Sequence, residues 1–189
     1  MRDDCALSRA DGLHDGSGYS RVVKLAVGDL VVYGRHGAGR VASRQEKGLG
    51  KPHEIIVLDL AAGLSVTLPL ERALEYLRPL VSKTEVACVQ TTLREDTALN
   101  EDTWLKRWKT MQAKVATGEA VSLAEVVRDS VQRDRTPAAG GKTKRLSPSE
   151  HQLYLQARQL LASEIGLARG VELSEADDWI TEQLARIAA

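Results

Sequence analysis

Phenylalanine is absent from this sequence of 189 residues, and aromatic residues of all kinds make up only 4%. The hydrophobic core must therefore be filled mainly by aliphatic side chains. No apolar run approaches the ~20 residues that a transmembrane helix needs, and the N-terminal residues lack the apolar segment of a signal peptide. The two cysteines, Cys5 and Cys88, do not form a CxxC motif, which argues against a redox pair or a zinc site. We therefore expect a cytoplasmic protein.

Recognisable catalytic motifs are also missing. The four histidines are far apart and show no metal-ligand spacing, and neither GxSxG nor a Walker motif occurs. GAGRVA, at Gly37–Ala42, matches the glycine pattern of a dinucleotide-binding turn, and Asp59 follows at a suitable separation. The residues after these glycines include further glycines and a proline, so they cannot form the helix that would hold a pyrophosphate. The segment predicts a tight turn between antiparallel strands, and we expect no enzyme, cofactor or metal. A nucleotide-dependent enzyme is the rival hypothesis, and clear thermal stabilisation by dinucleotides would support it.

The net charge is zero, but the charges are unevenly distributed. Residues Trp104–Arg145 carry ten Lys or Arg and four Asp or Glu, whereas residues Leu146–Ala189 carry three and seven. The basic segment is either an ordinary solvated surface or a face that binds a polyanion.

The sequence divides into three parts of different character. Residues 1–20 are rich in Gly, Asp and Ser without any period, which predicts a disordered tail. Residues 21–83 contain short apolar segments between glycine-rich turns, which predict a small antiparallel barrel of the Tudor or SH3 type. Residues 84–189 show helical spacing and predict an all-α bundle. The expected fold class is therefore α+β.

Several residues mark helix boundaries in the second half. A helix is predicted to begin after Asn100–Thr103 and to end at Gly118. A serine followed three residues later by a carboxylate predicts a capping box. Such boxes are predicted at Ser122, Ser147 and Ser174.

Three segments resemble the CarD-like family of bacterial transcription regulators. VGDLVVYGRHGAGRV, at Val27–Val41, is similar to the family pattern VGD-x-VVYP-x-HG-x-G-x-V. LAEVVRD, at Leu123–Asp129, and LSPSEHQLYLQARQLLASEI, at Leu146–Ile165, resemble its C-terminal helices in the same order. Transcription-repair coupling helicases carry a similar barrel, but this chain is far too short for such an enzyme.

The resemblance implies a transcription regulator with two contacts. The barrel would bind the β subunit of RNA polymerase, and the helical domain would touch promoter DNA at the upstream edge of the melted region. A tryptophan at the start of the first C-terminal helix would wedge into the minor groove and stabilise the open complex. Trp104 stands at the matching position. Helical spacing alone favours a core position for it, because it shares a stripe with Trp108, Met111 and Val115.

The resemblance and the charges together give a set of candidate site residues. Basic side chains beside the wedge would bind the flanking phosphates. The predicted DNA-binding residues are Trp104, Lys106, Arg107, Lys109, Lys142, Lys144, Arg145 and His151. The predicted polymerase-binding residues are Lys47 and Thr67, which stand where a relative has polymerase-facing arginines.

The sequence departs from the family pattern at a few positions. Gly34 replaces the usual proline, Thr103 stands where an asparagine is common, and His151 stands where some members have a DNA-contacting lysine. The segment Thr136–Arg145 is either a phosphate-binding or a solvated linker.

We therefore expect a monomeric, non-enzymatic transcription regulator that binds RNA polymerase and DNA with little sequence preference. It would be associated with the nucleoid through the polymerase, without membrane contact. The alternative is a protein-interaction module that binds RNA polymerase without touching DNA.

Overall fold

The computed structural model describes residues 25–47, 53–98, 102–136 and 145–186. The five strands are β1 (Leu30–Tyr33), β2 (Ala38–Lys47), β3 (His53–Leu60), β4 (Leu64–Pro69) and β5 (Leu77–Pro79). The six helices of these ranges are α1 (Leu70–Tyr76), α2 (Lys83–Arg94), α3 (Trp104–Thr117), α4 (Ala120–Arg135), α5 (Pro148–Arg169) and α6 (Leu173–Ala185). A small antiparallel sheet followed by a helical bundle confirms the predicted fold class. The predicted tail, residues 1–20, lies outside the described residues.

The strands form one antiparallel sheet with the order β4-β3-β2-β1-β5. Alternate residues of the strands point to one face and form the first hydrophobic core, which includes Val31, Val41, Ile56 and Leu58. A register shift between Val41 and Ser43 bends the long strand β2. The sheet therefore curves around its own core, as expected for a strand meander of this length.

The glycine-rich turn joins β1 to β2. Gly34–His36 form a single 3₁₀ turn, and Gly34 and Gly37 have φ values of 38° and 98°, which favour glycine. An extended strand, not a helix, follows the glycines. The prediction of a tight turn between antiparallel strands is therefore confirmed.

The helices pack around a second hydrophobic core. Its buried members come from α2 to α6 and include Val89, Leu93, Leu123, Leu161 and Ile180. Because aromatic residues are few, aliphatic side chains fill nearly all of this volume. Within the described residues, no helix is both long enough and apolar enough to cross a membrane.

The helix boundaries were predicted with mixed success. The start of α3 at Trp104 and its left-handed end at Gly118 are confirmed, as is the capping box of Ser147 with Glu150. The boxes predicted at Ser122 and Ser174 are wrong, because α4 and α6 begin earlier and both serines lie inside the helices. The N-caps are Glu119 and Glu172, the residues directly before the first residues of α4 and α6.

Candidate nucleic-acid interface

Trp104 is the first residue of α3, and its indole ring is held at one edge. Nε1 donates a hydrogen bond to Oγ of Ser147, at 2.8 Å. The ring stacks on Trp108 with a centroid separation of 6.4 Å and an interplanar angle of 24°. Even so, Trp104 is 47% exposed. The ring is therefore oriented by the protein while much of its surface stays available for a partner.

The contact with Ser147 brings the N-termini of two helices together. Trp104 opens α3, and Ser147 is the N-cap of α5, where its Oγ also accepts a hydrogen bond from the Glu150 amide. Unpaired amide groups and the helix dipole place partial positive charge at such termini. Two converging N-termini therefore favour a negatively charged partner near the indole ring.

Glu150 supports this arrangement from inside. Its side chain is only 1% exposed, accepts the Ser147 amide at 2.9 Å and pairs with Nε of Arg107 at 3.1 Å. Burial raises the pKa of the Glu150 carboxyl, but hydrogen bonds from Ser147 and the charge of Arg107 outweigh this effect. The net pKa therefore lies below its usual value, and the group is a carboxylate at neutral pH.

Arg107 is turned toward the protein. Besides Glu150, its Nη1 donates to the backbone oxygen of Asp102 at 2.6 Å, and its side chain is 20% exposed. The guanidinium thus joins the segment before α3 to the start of α5. The phosphate contact of Arg107 stays a prediction. The geometry also supports a structural role, in which Arg107 stabilises the packing of α3 against α5.

The remaining predicted DNA-binding residues differ in solvent exposure. Lys106 is 69% exposed and pairs with Asp102 at 2.8 Å, one helical turn away. Lys109 is exposed on the same helix, and Arg145 and His151 are exposed at the start of α5. The His151 ring lies 5.9 Å from that of Tyr154. The structure thus brings Trp104, Lys106, Lys109, Arg145 and His151 to the two neighbouring helix starts. Lys142 and Lys144 lie outside the described residues.

A cavity of about 430 Å³ lies between α3, α4 and the start of α5. Its charged lining consists of Arg107, Lys114, Arg133, Asp102, Asp129 and Glu150. Burial, and then the nearby charge of Arg107, lowers the pKa of Arg133. Because both signs of charge are present, this cavity lacks the uniformly positive wall that a polyanion site needs. In the described ranges, no group of three or more His, Cys, Asp or Glu side chains is placed to hold a metal ion.

The two predicted polymerase-binding residues lie on the sheet. Thr67 is exposed on β4, an edge strand of the described sheet, opposite Val57 of β3. Lys47 ends β2 opposite His53, and only its backbone is described. Edge strands offer backbone hydrogen-bonding groups to an extended segment of another protein.

Sequence reasoning missed the partners of the predicted site residues. The capping box of Ser147 and Glu150 is readable from spacing, but its links to Trp104 and Arg107 span 43 residues each. The sequence signal for these contacts was the location of the capping box directly after a basic segment. The contacts themselves depend on how α3 packs against α5.

Two family models, both of CarD-type domains, together match most of the chain. Residues 88–181 match the family model described as CarD, C-terminal domain, and residues 25–81 match the CarD-like/TRCF RID domain. The chain is also similar to a Bacillus subtilis (strain 168) protein named "Putative transcription factor YdeB". The two are 27% identical over 148 residues, which cover 77% of this chain and 92% of that protein.

Proposed function

Because this chain belongs to the CarD-like family of transcription factors, we propose that it bridges RNA polymerase and promoter DNA. The β-sheet half binds the polymerase β subunit. The helical half contacts the upstream edge of the melted region and stabilises the open complex without catalysing a reaction. The observation that carries this proposal is the oriented, half-exposed indole of Trp104 between two helix N-termini.

An apolar ring at this position suits a partly unstacked base step. Proteins that bend or open DNA from the minor groove commonly insert apolar side chains between bases. Trp104 is pre-oriented by Ser147 and Trp108, so little side-chain entropy is lost when it inserts. This supports Trp104 as the wedge, with Trp108 as the residue behind it.

The charges around the ring suit phosphates on either side of such a step. Lys106 and Lys109 project from α3, and Arg145 and His151 from the start of α5. The three Lys and Arg side chains of this set predict modest affinity, because the logarithm of the binding constant falls with the logarithm of salt concentration by a slope of only about 0.9 for each neutralised phosphate. Weak DNA binding is workable when polymerase supplies a high effective concentration.

Reversing the two α3 lysines tests the DNA contact. We expect Lys106→Glu/Lys109→Glu to weaken promoter binding. The slope of the logarithm of the binding constant against the logarithm of salt concentration should become smaller in magnitude by about 2, because each phosphate-binding lysine contributes about one unit to it. The measurement is promoter binding with polymerase at several salt concentrations.

Lys83→Glu/Arg186→Glu is the matched control for this experiment. Both residues are exposed on helices α2 and α6 or their ends, and the change in total charge is the same. If control and test variants lowered promoter binding equally, overall charge and not the α3 surface would be responsible.

The polymerase contact is tested with the full chain and a purified polymerase β fragment. We expect Lys47→Glu or Thr67→Glu to weaken complex formation by about tenfold or more, as for a central interface residue. Lys83→Glu should bind normally, because Lys83 starts α2 in the helical half. Normal binding by both sheet variants would show that neither Lys47 nor Thr67 lies in the polymerase interface.

A second candidate function rests on a specific observation. Leu105 is 49% exposed beside Trp104, and neighbouring exposed apolar side chains also suit a protein partner. In this alternative, the sheet binds polymerase and α3 binds another protein without touching DNA. Unchanged promoter binding by Lys106→Glu/Lys109→Glu would favour it.

A further inference from the structure

The sheet and the helical half share a buried contact surface. Val32 of β1 pairs with Ala38 of β2 on one side and with Arg78 of β5 on the other. Val32 and Ala38 are 2% and 0% exposed, yet neither belongs to one of the two hydrophobic cores. Helix α5 contacts β2, and a Cβ atom at Gly37 would lie 3.4 Å from Oγ of Ser163. This row of the sheet is therefore covered by the helical half.

Arg78 joins the two halves at the end of this row. Its guanidinium makes two hydrogen bonds to the carboxylate of Glu164 on α5, at 2.5 and 2.8 Å, and a third to the Gly118 oxygen at 2.6 Å. Glu164 is 1% exposed and also accepts the Val81 amide at 3.2 Å. A bidentate pair with a buried carboxylate has strict geometry. One side chain thus connects β5 with both α5 and the α3–α4 turn.

The same turn also touches the sheet through backbone alone. A Cβ atom at Gly118 would lie 2.8 Å from the carbonyl carbon and oxygen of Gly34. Gly34 has a φ of 38°, which a proline ring cannot adopt. Because Gly118 has no side chain, the backbones of the two halves can approach this closely.

We infer that Arg78, Glu164 and the Gly34–Gly118 contact hold the two halves at one angle, and that Arg78 positions Trp104 relative to the polymerase. This inference rests on the proposed function. Helix α3 has 14 residues, with Trp104 at one end and Gly118 just beyond the other. Its length is therefore about 20 Å, so a 10° rotation at Gly118 would move Trp104 by roughly 3–4 Å. Such a shift is enough to remove the indole from a base step.

Two glycine variants test the backbone contact. Gly118 and Gly170 end α3 and α5 with nearly equal φ values of 66° and 68°, so alanine strains both equally. Only at Gly118 would the new Cβ meet the other half, since nothing lies within 4 Å at Gly170. We expect Gly118→Ala, but not Gly170→Ala, to give the two halves different rotational correlation times in nitrogen-15 relaxation of the full chain.

Arg78→Gln tests the ion pair, with Arg158→Gln as its control. Arg158 makes a comparable bidentate pair with Asp177, at 2.5 and 2.8 Å, but both residues lie in the helical half. We expect Arg78→Gln to uncouple the tumbling of the halves and to shorten the open-complex lifetime by about tenfold or more, because tethered binding depends on geometry. Binding of the polymerase β fragment should be unchanged.

The outcomes separate this inference from the proposed function. Halves that tumble independently in the parent chain would refute the fixed angle. Halves that tumble together in both Arg78→Gln and Gly118→Ala would refute the inference that these contacts hold the angle. If Arg78→Gln uncouples the halves while Trp104→Ala leaves the open-complex lifetime unchanged, the fixed angle stands and the proposed wedge fails.

Discussion

Trp104→Ala is expected to shorten the lifetime of the promoter open complex by about tenfold, because an aromatic ring stacked on a base contributes roughly 1–3 kcal/mol. Binding to the polymerase β fragment should not change, since Trp104 belongs to α3 and not to the sheet. The lifetime is measured with purified polymerase on one promoter, after a competitor prevents rebinding.

Two variants separate the wedge from other roles of the indole. Trp104→Phe keeps an aromatic ring but loses the hydrogen bond to Ser147, so it should retain most of the lifetime if ring area is what matters. Leu105→Ala removes a neighbouring side chain of similar exposure, 49% against 47%. Equal lifetimes for parent and Trp104→Ala would refute the wedge. A loss with Leu105→Ala equal to that of Trp104→Ala would indicate a general apolar contact.

The largest effect on stability is expected for Glu150→Ala. This change leaves the poorly exposed Arg107 without its carboxylate and removes the capping box of α5. Breaking a buried ion pair by deleting one partner costs on the order of 3–5 kcal/mol in the free energy of unfolding. The measurement is denaturant unfolding at neutral pH. The start of α5 should also loosen around Ser147, which holds the Trp104 indole.

Glu85→Ala is a matched control, because Glu85 occupies the same position in the capping box of Ser82 at the start of α2. Glu85 is exposed and makes no salt bridge with the described residues. Its replacement should cost about 1 kcal/mol or less. Equal losses for the two variants would mean that capping, and not the buried pair, accounts for the role of Glu150.

The pH dependence of Glu150 has a definite sign. Its pKa is lower in the folded than in the unfolded state, so the unfolded state binds more protons as the carboxyl titrates. The stabilisation is therefore present at neutral pH and is lost as the pH falls through the folded-state pKa. The difference in stability between parent and Glu150→Ala should narrow below about pH 4.

The sequence predicted the local features of this protein well. Alternating and helical spacing predicted the strands and the main helices, and the glycine-rich segment predicted the tight turn between β1 and β2. The boxes at Ser122 and Ser174 were wrong because two earlier residues, Glu119 and Glu172, begin those helices. Residue spacing identifies a possible N-cap, but the packing of the helix decides at which residue the first turn begins.

The residue pattern alone determined a small antiparallel sheet followed by amphipathic helices, a tight glycine turn between two strands, and the motifs that indicate the family. Only the tertiary structure decided that the Trp104 ring stays half exposed, that Arg107 faces Glu150, and that Arg78 reaches Glu164 across 86 residues. Helix and turn signals act over three or four residues, where chain geometry fixes the neighbours. Contacts between distant segments depend on how complete elements pack, and no local spacing encodes that arrangement.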